Sequence, residues 1–147
     1  MGALHRLVAL GLVVLFGAGM TSALAAANAV PVTKHSDTRR PITPNDLKPT
    51  ECNGITVTTK IVGSGPFNGT NANDLILGSA GADTISGGAG ADCILGGGGN
   101  DNLNGQGGAD VILGGDGDDD INGGGGADTC YGGPGTDTFA NCETQFP

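Results

Sequence analysis

From residue 69 to residue 140 the apolar and polar positions recur every nine residues, through eight consecutive units without a slip. In register the units read GTNANDLIL, GSAGADTIS, GGAGADCIL, GGGGNDNLN, GQGGADVIL, GGDGDDDIN, GGGGADTCY and GGPGTDTFA. Position eight is apolar in every unit: Ile76, Ile85, Ile94, Leu103, Ile112, Ile121, Cys130 and Phe139. Position one is always Gly, and position four is Gly everywhere except at Ala72. The pattern predicts a short strand over positions seven to nine and a glycine-rich turn over positions one to six. Side chains alternate along a strand, so position eight points inward and its neighbours outward. Fixed self-similarity at so short a period predicts a solenoid, in which one unit stacks on copies of itself.

A second period is nested in the first. Position nine is Leu77, Leu95, Leu113 and Tyr131 in odd units, but Ser86, Asn104, Asn122 and Ala140 in even ones. Position seven is Leu75, Cys93, Val111 and Thr129 in odd units, against Thr84, Asn102, Asp120 and Thr138 in even ones. The structural period is therefore eighteen residues, with two units to a coil and about four coils in the array. One sheet carries a polar outer face and the other an apolar one. A bare apolar stripe marks something that covers it, either residues 55–62 or another molecule.

Composition shows what the stack lacks. Of the 30 Gly in the 147 residues, 23 fall in the array, and the whole chain has four Phe, one Tyr and no Trp. One inward residue per unit cannot offset the ordering entropy of so glycine-rich a segment, so another staple is required. Charge indicates its nature. The array holds eleven Asp and no Lys, Arg or His, while every basic residue lies at or before Lys60. Such a field repels nucleic acid and anionic membrane and attracts cations. Eight of the eleven Asp hold position six: Asp74, Asp83, Asp92, Asp101, Asp110, Asp119, Asp128 and Asp137. A merely solubilising acidic surface would not keep that phase.

The unit resembles the calcium-binding nonapeptide of the RTX, or hemolysin-type, repeat family. The resemblance implies an all-β fold, a parallel β-roll wound as a right-handed solenoid. It also implies Ca2+ between loops stacked on the same side, held by position-six Asp side chains and backbone carbonyls. One ladder is then Asp74, Asp92, Asp110 and Asp128, and the other Asp83, Asp101, Asp119 and Asp137. Three gaps on each side give about six ions. Carboxylate and carbonyl oxygens suit a hard cation such as calcium. Neighbouring Asp in a ladder lie one strand spacing apart, about 4.8 Å. Each bare pair then repels by about 1 kcal/mol at the dielectric of water, and by several at an effective value near 20. Ion binding and folding are thereby expected to be one event.

Around the array the chain divides by composition. Residues 1–29 read as a secretory signal peptide, with His5 and Arg6 ahead of an apolar run and a small-residue exit. Competing cleavage sites end at Ala25, Ala27 and Ala29. Residues 30–50 hold four of the seven Pro and no periodicity, and read as a flexible linker. Residues 51–68 include the β-branched run ITVTTKIVG, then a Gly/Pro turn, and read as an N-terminal cap. Residues 141–147 form the C-terminal cap or tail. Four Cys in an exported chain suggest two disulfides. Cys93 and Cys130 fall two coils apart, beyond disulfide reach, and Cys142 is further still from Cys93. The expected pairs are therefore Cys52 with Cys93 and Cys130 with Cys142.

No catalytic constellation is expected. A P-loop needs GK[ST], and no Lys or Arg follows Lys60. The run DGDDDI at Asp116 begins like an EF-hand loop, but Ile121 stands where its Gly belongs. Ahead of the array there is no G-x-S-x-G or H-E-x-x-H. The reading is a secreted calcium-binding structural module, not an enzyme, with no nucleic-acid partner and no membrane association once the signal is removed. The alternative is an adhesin or partner-binding protein that uses the apolar outer sheet.

Overall fold

The computed structural model describes residues 41–147; the predicted signal peptide and residues 30–40 of the predicted linker lie outside them. The array builds β3 (Asp74–Leu77), β4 (Thr84–Ala89), β5 (Cys93–Gly98), β6 (Asn102–Gly107), β7 (Val111–Asp116), β8 (Asp120–Asn122), β9 (Thr129–Tyr131) and β10 (Thr138–Ala140). Ahead of it lie β1 (Thr59–Val62) and β2 (Pro66–Asn68), and after it β11 (Thr144–Phe146). Odd-numbered strands form one parallel sheet and even-numbered strands another, in the orders β1-β3-β5-β7-β9-β11 and β2-β4-β6-β8-β10. Ile76 pairs with Ile94, Ile94 with Ile112, and Ile85 with Leu103, so the register advances by the predicted eighteen residues.

The solenoid has about five turns rather than the four that eight units make. The extra turn comes from segments without the Asp and Gly signature. β1 pairs with β3, and β2 with β4, where Phe67 takes the inward slot beside Ile85. Residues 66–68 thus form a strand where the sequence suggested a turn. At the other end β11 pairs with β9. In the middle of the stack the strands also run past position nine into the glycines, as β4 to β7 show.

Two apolar clusters hold the coils. Between the sheets lie the position-eight residues Ile76, Ile85, Ile94, Leu103, Ile112, Ile121 and Cys130, all fully buried, with Ile61, Phe67 and Phe139 at the ends. Outside the odd sheet, Leu75, Cys93 and Leu95 are buried by Cys52, Ile55 and Val57, with Leu47 alongside. The apolar stripe therefore has an internal cover at its N-terminal end. That cover comes from residues 47–57, not 55–62, because 59–62 join the sheet as β1. Residues 43–50, placed by composition in the linker, include a 3-10 turn at Pro44–Asp46. The Asn45 side chain accepts the Val57 N–H at 2.9 Å and donates to the Val57 carbonyl at 2.6 Å. This part of the segment is packed against the cover rather than free.

Both disulfides form as expected. Cys52–Cys93 ties the cover to the odd sheet, and Cys130–Cys142 ties the tail to the last coil.

Candidate metal centre

The turn glycines bring successive coils close together. Gly88 and Gly90 have φ of 111° and 108°, in the left-handed region that side chains other than glycine's rarely adopt. A Cβ on Gly90 would lie 2.8 Å from the Ala72 carbonyl, so the close approach also excludes a side chain. Where position two is Gln106 the same kind of backbone is kept, with φ of 73°.

Into this stack the position-six Asp side chains point inward. Asp74 through Asp128 are all buried, and Asp137 at the end is half-buried. Each ladder is laced by one repeated bond: the N–H of one Asp donates to Oδ1 of the Asp eighteen residues on. Asp74 donates to Asp92, Asp92 to Asp110 and Asp110 to Asp128, each at 2.8 Å. Asp83 donates to Asp101 at 2.8 Å, Asp101 to Asp119 at 2.9 Å and Asp119 to Asp137 at 3.0 Å. The structure thus assembles the eight sequence-predicted residues into the two expected ladders.

The second oxygen decides the chemistry. Oδ2 of Asp92, Asp101, Asp110, Asp119 and Asp128 is buried and accepts no hydrogen bond. A buried carboxylate left without a partner costs several kcal/mol. Each of these oxygens faces a backbone carbonyl of the next coil across the position-one glycine. A Cβ on Gly87 would sit 2.6 Å from Asp92 Oδ2 and 2.7 Å from the Gly105 carbonyl. Gly96, Gly105 and Gly114 are flanked in the same way by Asp101, Asp110 and Asp119 and the next coil's carbonyl. A partnerless carboxylate oxygen beside a carbonyl oxygen lacks a positive charge, and an oxygen-seeking cation supplies one.

The same burial acts on the protonation of these carboxyls. Burial pushes Asp92 up to about 7, against the lowering effect of the Asp74 N–H, with the Asp110 and Asp74 charges adding to the rise. Burial likewise raises Asp101 to about 6, with Asp119 and Asp83 adding to it, and Asp110 to about 6, with Asp128 adding to it. Asp119 and Asp128 are raised for the same first reason.

The first two rungs are different. Asp83 Oδ2 accepts the Ser79 N–H at 2.7 Å and its hydroxyl at 2.9 Å, while Oδ1 accepts the Gly65 N–H. Asp74 Oδ2 accepts the Thr70 N–H at 2.6 Å and its hydroxyl at 2.9 Å, leaving only Oδ1 without a donor. Thr70 and Ser79 occupy position two, where most units have Gly. That substitution was visible in the sequence, but only the structure shows the hydroxyls turned onto the carboxylates.

Among the described residues no three acidic, His or Cys side chains converge as a metal cluster. The family model of the RTX calcium-binding nonapeptide repeat, four copies long, matches residues 68–103 and again residues 104–139. The array is one of RTX calcium-binding repeats, and the chain is an RTX-repeat protein. Calcium is the ion such repeats bind. Comparison with curated proteins gives no match, and neither does comparison with solved structures. Outside position six, Asp118 bonds only within the turns of the RTX array. Its N–H donates to Asn100 Oδ1 at 3.1 Å, and its Oδ1 accepts the Thr136 N–H at 2.8 Å.

Proposed function

We propose that this chain is a secreted structural module whose ladders are completed by calcium outside the cell, so that ion binding and folding are coupled. The observation that carries this reading is the run of five buried Oδ2 atoms without donors, each on a position-six Asp. The ions sit in the array gaps whose earlier Asp carries such an oxygen, facing the next coil's carbonyl: 92–110 and 110–128 on one side, 101–119 and 119–137 on the other. The gaps 74–92 and 83–101 are closed instead by the hydroxyls of Thr70 and Ser79. That gives four inner ions in place of the six counted from the ladders alone.

Export is supported by the predicted signal peptide at residues 1–29 and by the two disulfides, which persist in oxidising compartments. The self-covered apolar stripe supports a structural role over an adhesin, because Leu75, Cys93 and Leu95 are already buried within the chain. The module works as a scaffold, without catalysis.

Calorimetric titration with calcium tests the ladder assignment. Asp110 borders two gaps, so Asp110→Ala weakens calcium binding by at least about tenfold and blunts cooperativity. Asp118→Ala leaves calcium binding unchanged. Equal effects of the two variants refute the assignment.

A further inference from the structure

The segment after the array is a ninth repeat with a shortened turn. Nine residues after Gly132 the next unit opens at Asn141, in the place of a position-one Gly. The Asn141 carbonyl lies against Gly123 just as the Gly123 carbonyl lies against Gly105, and the Gly105 carbonyl against Gly87. The chain then re-enters the odd sheet after two residues where a full unit takes five. Thr144, Gln145 and Phe146 pair with Thr129, Cys130 and Tyr131.

Glu143 consequently falls immediately before a strand, in the place of a position-six Asp. Its Oε2 accepts the Asp128 N–H at 2.6 Å, the same bond that Asp128 Oδ1 accepts from Asp110 one coil earlier. The Cys130–Cys142 disulfide anchors the neighbouring residue to the last coil.

A separate observation points to a ligand at this spot. Asp128 is only 1% exposed, and its Oδ2 has no donor. That oxygen lies 2.8 Å from where a Gly123 Cβ would sit, with the Asn141 carbonyl on the same point. The arrangement repeats the one at each inner gap. We propose that Asp128, the Asn141 carbonyl and Glu143 form a further divalent-cation site that closes the odd ladder. Asn141 and Glu143 lie beyond residues 68–139, where the family match ends. It rests on the ladder reading above and extends it by one ion. Glutamate fits because its extra methylene bridges the reach lost with the deleted turn residues.

Native mass spectrometry of the full chain counts the calcium ions. Glu143→Gln keeps an oxygen for the Asp128 N–H while removing the charge. The variant is expected to hold one ion fewer than the wild type, with an unchanged β spectrum at saturating calcium. Equal stoichiometry and affinity in the two proteins overturn the site. A wild type that takes up no calcium overturns the ladder reading itself. Should Glu143→Gln not reach the roll spectrum, wild-type crystals soaked in terbium decide. An anomalous peak between Asp128 and Glu143 supports the site, and none there overturns it.

Discussion

A carboxylate with one oxygen laced to the backbone and the other left bare is the chemical unit of this protein. Asp110 shows it fully, with Oδ1 on the Asp92 N–H and Oδ2 without a donor. The same burial that creates the need for a cation also sets a pH dependence. In the metal-free roll Asp92 titrates near 7 and Asp101 and Asp110 near 6, all above the ordinary 3.8. The metal-free roll thus binds more protons than the open chain between these values, and its stability falls as pH rises through about 6 to 7. Circular dichroism in EGTA should show β signal growing as pH is lowered from 8 to 5, approximate limits set by this linkage. In calcium the direction reverses, because protons compete with the ion for the same oxygens, and apparent calcium affinity drops over that range. A metal-free chain that gains structure as pH rises contradicts the assignment. Position six was legible in the sequence because it repeats in phase. The roles of Thr70, Ser79 and Glu143 were not, since two hydroxyls and one displaced glutamate break the pattern without announcing what they bond.

Single strands of three to six residues cannot stand alone, and each coil is supported only by its neighbours. Ends therefore govern the stack. At the C-terminal end Cys130 takes an inward slot that Ile76, Ile94 and Ile112 fill in earlier coils of the same sheet, giving up apolar volume. The disulfide to Cys142 closes a loop of sequence separation 12, worth about 3 kcal/mol in the chain-entropy view. Cys142→Ser should raise the calcium concentration needed for folding without abolishing folding, because the inner gaps are untouched. Calcium titrations of the variant and the wild type, followed by circular dichroism, check this; identical midpoints contradict it. The strands of the array were readable from the inward position eight and the eighteen-residue alternation. β2 was not, because Pro66, Phe67 and Asn68 carry no repeat signature and become a strand only by pairing with β4. The cover was misplaced by about half its length for a similar reason. Residues 47–57 have no strand pattern, and their burial comes from packing on Leu75, Cys93 and Leu95.

Taken whole, the chain is a short stack with a thin core and two lines of buried acid. The N-terminal coil is the better furnished end without metal: hydroxyls satisfy Asp83, and a disulfide and a second apolar cluster hold the cover in place. From Asp92 onward the carboxylates have no such substitutes. Bare neighbours at about one strand spacing repel by about 1 to 4 kcal/mol per pair, depending on the effective dielectric, which is large against the 5–15 kcal/mol or so that holds a typical domain together. Magnesium should not replace calcium, because it demands tight octahedral geometry and sheds water reluctantly. The most direct test is far-ultraviolet circular dichroism of the oxidised chain without its first 29 residues, in EGTA and then through millimolar calcium at neutral pH. The account predicts a mostly open chain in EGTA that gains β structure cooperatively with calcium and much less with magnesium. A full β spectrum in EGTA, unchanged on adding calcium, would contradict it.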